Sequence, residues 1–228
     1  MLIKEMIFGQ EIVLETGDYY FSPSSIDKGT LFMLSKVQVT EHDKVLDLGC
    51  GYGVVGISIA KEIGGEHVVM SDISEEALAL TKVNLEMNGL NGVRVLKSNG
   101  FKEISDKEFT LILSNPPYHA DFSVAKAFIE DGYKQLVPGG KLVMVTKRLV
   151  WYRNKITSVF GGVKVFEQDG YYVFVAEKRK KQRYKETKKS ELSKKLKRKY
   201  GRKNKVQEKH KLKVTYKDYH LKNGQTVV

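Results

Sequence analysis

The sequence predicts an α/β sandwich on a mostly parallel seven-stranded sheet that closes with an antiparallel hairpin. Three observations carry that reading. Short apolar runs alternate with stretches of helical apolar spacing from Lys44 to Phe160, the signature of parallel βαβ units. A glycine-rich turn follows the first run, and an aspartate ends the second. Near the end of the pattern, two further apolar runs flank Gln168-Asp169-Gly170, a hairpin turn by composition.

The elements follow in order. Ile3 to Leu14 is broken at Gly9 and reads as a small hairpin or cap. Tyr19-Tyr20-Phe21-Ser22-Pro23 is an aromatic turn. Ser24 or Ser25 is placed to cap a helix through Leu31, Phe32 and Leu34. Lys44–Leu48 reads as a buried strand and Val54–Ile63 as a helix. His67–Asp72 is a second strand, and Ser74 starts a helix through Leu78, Leu80, Val83 and Leu85 that stops near Asn88-Gly89. Val93–Leu96 and Phe109–Leu113 are strands. Phe122–Leu136 is a helix stopped by Pro138-Gly139-Gly140, and Lys141–Val145 is a fifth strand. Leu149–Phe160 is helical, and the hairpin pairs Val163–Phe166 with Tyr171–Ala176.

Charge divides the chain. Residues 178–228 carry 21 Lys and Arg against 4 Asp and Glu, a balance of +17, whereas residues 1–177 balance at −5. The expected organisation is therefore one domain, 1–177, whose first forty residues form a cap and ligand-covering segment, and a basic tail, 178–228. The tail has too few apolar residues to offset its ordering entropy alone and suits a polyanion such as RNA. The single cysteine, Cys50, excludes an internal disulfide framework and fits a reducing compartment. With no secretory leader or membrane span in the sequence, the expected location is the cytoplasm; neither a membrane nor a metal is expected as a partner.

The turn Asp47-Leu48-Gly49-Cys50-Gly51-Tyr52-Gly53 lets a backbone bend tightly and a ligand approach closely. The following helix would present its amide-rich end to that ligand. Asp72, at the end of the next strand, is placed to accept two ribose hydroxyls. Gly51-x-Gly53-x-x-Gly56 also spells a dinucleotide fingerprint, but Asp47 beside the glycines would repel a pyrophosphate and suits a cationic ligand such as a sulfonium. Cys50 reads as a small turn residue.

Asn115-Pro116-Pro117-Tyr118 follows the fourth strand, at the sheet end where ligands bind. An exocyclic amino or carboxamide nitrogen is planar, and its lone pair must be drawn out of conjugation before it attacks a methyl group. The Asn115 side-chain oxygen and the Pro116 carbonyl can each accept one N–H and stabilise the developing charge. The prolines fix the backbone, and Tyr118 offers a stacking face. Asn115, Pro116 and Tyr118 are the candidate catalytic residues.

With these motifs in hand, residues 20–177 resemble class I methyltransferases of the small domain family, which includes bacterial enzymes that methylate guanine exocyclic amines in small-subunit ribosomal RNA. Four motifs carry the likeness: Phe21-Ser22 with Asp27-Lys28-Gly29-Thr30, Val45 to Gly53, Ser98-Asn99-Gly100, and Asn115-Pro116-Pro117-Tyr118-His119. The resemblance implies a Rossmann-like fold and S-adenosyl-L-methionine as cofactor. It assigns Asp47, Gly49, Gly51, Gly53, Asp72, Ile73, Asn99, Gly100, Asn115 and Thr30 to the cofactor. It assigns Phe21, Ser22, Pro117 and His119 to the substrate, with the Phe21–Thr30 segment folded over the cofactor's methionine end. Asn99 stands where many relatives carry an acid. The duplicated N-terminal domain common among the ribosomal guanine enzymes is absent from the pattern, and the basic tail is additional. Three target nitrogens stay open on these residues: a guanine amine in RNA, an adenine amine, and a protein glutamine. A non-catalytic RNA-binding or ribosome-assembly role is the alternative of another class.

Overall fold

The computed structural model describes residues 1–17, 25–117 and 121–179. Phe21, Ser22, Tyr118, His119 and the basic tail beyond Arg179 lie outside the described residues, so their expected roles are not addressed by it.

Among the described residues, nine strands and five α-helices follow one another as expected for a βα-alternating chain. Strands β1 (Leu2–Ile7) and β2 (Gln10–Glu15) form a separate two-stranded hairpin. Its two-residue turn holds Phe8 at φ 53° and Gly9 at φ 76°, the left-handed pair that matches strand twist. Helix α1 (Lys28–Leu34) precedes β3 (Val45–Leu48), α2 (Val54–Ile63), β4 (Val68–Asp72), α3 (Glu75–Met87) and β5 (Arg94–Lys97). Then come β6 (Phe109–Ser114), α4 (Phe122–Gln135), β7 (Leu136–Thr146), α5 (Leu149–Phe160), β8 (Lys164–Gln168) and β9 (Tyr171–Glu177).

The main sheet has seven strands in the order β5-β4-β3-β6-β7-β9-β8. The first five are mutually parallel, and β9 runs antiparallel to both β7 and β8. The order reverses between β3 and β6, so the carboxyl ends of those strands open a crevice. Both faces of the sheet are covered. Val45, Leu111, Leu113, Val143 and Val145 pack with α1, α2 and the hairpin, while Leu46, Leu48, Ile112, Leu142 and Met144 pack with α4 and α5. Period-2 alternation on strands buried from both sides explains why these runs read as continuously apolar. Among the described residues, no helix is long and apolar enough to cross a membrane.

Several boundaries differ from the sequence reading by one or two residues, and two differ for a physical reason. Helix α1 is capped by Asp27, whose carboxylate accepts the Thr30 amide at 2.9 Å, and not by Ser24 or Ser25. An aspartate three residues before an open amide is a strong cap, and Ser25 sits too far upstream to reach it. Helix α4 ends at Gln135, and Pro138-Gly139-Gly140 belongs to the irregular start of β7. A bulge accommodates a proline that donates no ladder hydrogen bond and a glycine at φ 95°.

Helix α3 shows a larger departure. Val83 is exposed, and the inward face is Ala77, Leu78, Thr81, Asn84 and Leu85. The buried polar residues have a use that apolar periodicity conceals. The outward edge of β2 would leave backbone groups of Glu11, Val13 and Glu15 unpaired. Asn84 accepts the Glu15 amide at 2.6 Å and donates to the Glu15 carbonyl at 3.0 Å. Asn88, one helical turn on, does the same for Val13 at 3.0 and 2.6 Å, and Lys61 Nζ donates to the Glu11 carbonyl at 2.7 Å. Two carboxamides at i and i+4 thus match residues i and i+2 of a strand. Replacing Asn84 with alanine removes the partners of the Glu15 amide and carbonyl and is expected to cost on the order of 2–3 kcal/mol. Urea denaturation measures this, with the β1–β2 amides losing hydrogen-exchange protection first.

Candidate functional site

The glycine turn after β3 pairs only the Gly53 amide with the Cys50 carbonyl, at 3.0 Å, within itself, and neighbouring elements hold the rest. Gly49 and Cys50 amides donate to the Ser71 carbonyl of β4 at 2.8 and 2.9 Å. The Gly51 amide donates to Asp72 Oδ2 at 2.8 Å, and the Gly51 carbonyl accepts from Thr81 Oγ1 at 2.7 Å. The Tyr52 carbonyl accepts from Asn84 Nδ2 at 2.9 Å. Gly53 sits at φ 102°, where a Cβ would meet Ile57 at 2.9 Å, so the turn requires glycine there for both conformation and space.

Asp47 is buried on β3 and accepts the Gly56 amide of α2 at 2.8 Å. Burial, with a contribution from neighbouring Asp72, pushes its carboxyl up to about 7. Asp72 accepts the Gly51 amide and, through Oδ1, the Ser74 amide at 3.0 Å. One hydrogen bond per oxygen leaves lone pairs for a ligand. Burial also pushes the Cys50 thiol well above its ordinary range, which disfavours the reactive thiolate.

These groups line one cleft of about 460 Å³. Into it the structure brings Asp47, Gly49, Gly51, Asp72, Ile73, Asn99, Gly100, Thr30, Asn115, Pro116 and Pro117 from the sequence-derived set. Gly53 is not among the lining residues and shapes the turn from behind. Glu103, four residues on from Asn99, accepts the Asn99 amide at 2.8 Å and the Ser98 hydroxyl at 3.0 Å and is not among the cleft-lining residues.

At the mouth of β6, Asn115 is held by its nitrogen. Asn115 Nδ2 donates to Thr30 Oγ1 at 2.9 Å and to Asp27 Oδ2 at 3.2 Å. Its Oδ1 has no partner among the described residues. Asp27 Oδ1 in turn accepts the Tyr171 hydroxyl at 2.9 Å. Tyr171, read from sequence as the start of the last hairpin strand, therefore also serves the site. A Cβ at Gly29 would lie 2.4 Å from the Tyr171 ring, which explains the glycine in Asp27-Lys28-Gly29-Thr30.

Sequence reasoning missed Asp27, Thr81, Tyr171 and Phe128 as site residues. Phe128 of α4 lines the cleft beside Val124, one turn away, and faces Gly49 and Gly100. Their i, i+4 spacing was the available signal.

Residues 11–176 match the methyltransferase small domain family. The chain belongs to that family. Ribosomal RNA small subunit methyltransferase C of Shewanella amazonensis is 36% identical over 164 residues, covering 70% of this chain and 47% of that protein. The chain spans about half the length of that relative and of the similarly named enzyme of Mannheimia succiniciproducens, 37% identical over 162 residues covering 69% of this chain. The uncharacterized protein YbxB of Bacillus subtilis is 31% identical over 164 residues, 69% of this chain and 82% of that protein. Among solved structures, a T. thermophilus 16S rRNA N2 methyltransferase in complex with AdoMet and guanosine superposes with TM-score 0.71 at 26% identity, covering 78% of this chain and 50% of that one.

Asp47 gives this family member a specific pH response. The unfolded carboxyl ionises near its ordinary 3.8, whereas the folded one holds its proton up to about 7. Across that window the folded state binds more protons, so stability falls as pH rises and levels off above it. In the ligand-free protein, the melting temperature should fall from pH 4 to 7 more steeply than in Asp47→Asn, which keeps the Gly56 acceptor. Parallel thermal scans of the two proteins check this.

Proposed function

We propose that the chain transfers a methyl group from S-adenosyl-L-methionine to the exocyclic amino nitrogen of a guanine in RNA, with ribosomal RNA as the substrate. The observation that carries the reading is the Asn115 carboxamide, held by its nitrogen at 2.9 and 3.2 Å so that its oxygen is left to accept an N–H in the cleft.

The cleft fits the cofactor. Asp72 keeps a lone pair on each oxygen for two ribose hydroxyls, the Gly49, Cys50 and Gly51 amides are fixed by the Ser71 carbonyl and Asp72, and Asp47, neutral up to about 7 in the ligand-free chain, would be drawn into its charged form by a cation beside it. The Ser71 hydroxyl, buried at the same cleft, has no partner among the described residues. When bound, the cofactor supplies a methyl group already activated by its sulfonium charge. The chain's own contribution is placement and charge stabilisation. Asn115 Oδ1 takes one N–H of the target, and the Pro116 carbonyl the other, which draws the nitrogen toward tetrahedral geometry and favours the transition state over the planar ground state. No strong base is needed, because the methylated nitrogen is acidic and loses its proton to water. Alignment of nitrogen and methyl supplies the larger share of the acceleration.

An adenine amine or a glutamine carboxamide presents the same N–H pair to Asn115. The guanine assignment is supported by the relative whose complex holds AdoMet and guanosine, and the ribosomal one by the relatives of Shewanella and Mannheimia. The +17 segment beyond Glu177 suits a phosphate backbone.

Nucleoside mass spectrometry of ribosomal RNA with and without the gene tests the reading. Gene-dependent N2-methylguanosine supports it; gene-dependent methyladenosine, or no change in any RNA, overturns it. Asn115→Ala should keep AdoMet affinity within about threefold and lower kcat on the order of 10²–10³-fold, measured by tritium transfer beside calorimetric titration. Removing residues 178–228 should weaken RNA binding and flatten its dependence on salt, read from fluorescence anisotropy at several ionic strengths.

A further inference from the structure

Resting on the N-methyl transfer proposed above, we infer that Asp27 is the positioning residue that fixes which face of the Asn115 carboxamide meets the target.

An asparagine amide has two branches of nearly equal shape, one accepting and one donating. An amino-group substrate is a donor, so only the oxygen branch is useful, and a flipped amide would set N–H against N–H. Asp27 decides between them. Its Oδ2 gathers the Thr30 amide at 2.9 Å, the Thr30 hydroxyl at 3.4 Å and Asn115 Nδ2 at 3.2 Å. A carboxylate oxygen only accepts, so a flipped Asn115 would bring Oδ1 against it and lose the bond to Asp27 in exchange for a repulsion. Thr30 alone cannot make the choice, since a hydroxyl both donates and accepts; with its hydrogen directed at Asp27, its lone pair faces Asn115 Nδ2 at 2.9 Å.

The carboxylate is itself held from two elements. Its place as the cap of α1 fixes Oδ2, and the Tyr171 hydroxyl on β9 holds Oδ1 at 2.9 Å. The bare backbone at Gly29 lets the Tyr171 ring lie close enough to reach it, since a Cβ there would sit 2.4 Å from the ring. Helix α1, β9 and the end of β6 thus meet on one side chain distant from Asn115 by 88 residues in sequence. Donation from Asn115 and Thr30 uses Oδ2 fully, so Asp27 acts through Asn115 and not as a contact to the reacting atoms.

Asp27→Ser in the full chain separates this role from helix capping. Serine caps a helix well, but its hydroxyl is too short to hold Asn115 and Tyr171 together. The expected result is an unchanged fold, AdoMet affinity within about threefold, and kcat lower on the order of 10²-fold, the cost of one preorganised contact. In an Asn115→Ala background, the same substitution should change kcat by less than about twofold, because residues acting through one another are not additive. Wild-type turnover in Asp27→Ser, or full additivity with Asn115→Ala, overturns the inference.

A second readout is independent of catalysis. In the ¹⁵N spectrum of the wild-type chain, the Asn115 side-chain amide, identified by its loss in Asn115→Ala, should exchange slowly with solvent and lose that protection in Asp27→Ser. Exchange as fast as for exposed asparagines in the wild type overturns the lock. A protected amide in a chain that methylates no RNA leaves the lock standing and refutes the RNA assignment alone.

Discussion

The backbone of the glycine turn between β3 and α2 is the constraint around which the molecule is arranged. A tight turn of this kind can pair few of its amides and carbonyls with itself, yet buried backbone groups need partners. Here Asp47, Asp72, Thr81 and Asn84 supply them from β3, β4 and α3, and the Ser71 carbonyl supplies two more bonds. The parallel order β4-β3-β6 places those residues around the turn, and Thr81 and Asn84 reach it from α3 while Asn84 also holds β2. What looks like a flexible glycine segment in the sequence is among the most heavily tied loops of the fold.

The target loop after β6 is governed by the same economy. Asn115 is not simply exposed at a strand end; its nitrogen is occupied, so its oxygen remains. That asymmetry matters because the two branches of a carboxamide offer opposite hydrogen bonds. The motif Asn115-Pro116-Pro117-Tyr118 names a residue type, and its neighbours Asp27 and Thr30 give it a direction.

Much of this was legible in the sequence. The βα alternation, the hairpin at Asp169-Gly170 and the convergence of Asp47, Asp72 and Asn115 follow from apolar period and turn chemistry, which are local properties. Helix α2 and helix α5 begin and end at the residues their spacing indicates. The rest depends on contacts between distant residues. Asn84 and Thr81 are polar and sit in a helix that otherwise reads by its leucines, so periodicity sends them to solvent, while the unpaired edge of β2 and the Gly51 carbonyl draw them inward. Tyr171 reads as sheet packing because nothing near residue 171 reveals a carboxylate 144 positions away. Asp27 was visible as part of a motif, but its three partners were not.

The sealed rim of β2 has a meaning beyond the hairpin's attachment. A two-stranded ribbon at a protein surface is an open template, since its outer row of N–H and C=O groups can recruit a strand from another chain. Natural proteins usually blunt such rims with charge, proline or a bulge. In this chain the Glu11 carbonyl and both backbone groups of Val13 and Glu15 are already engaged by Lys61, Asn88 and Asn84. A rim so occupied offers an intruding strand nothing to add to. Asn84 on α3 and Asn88 at its end thus bear on association as well as on folding: they close the β2 rim of a short ribbon to strand addition.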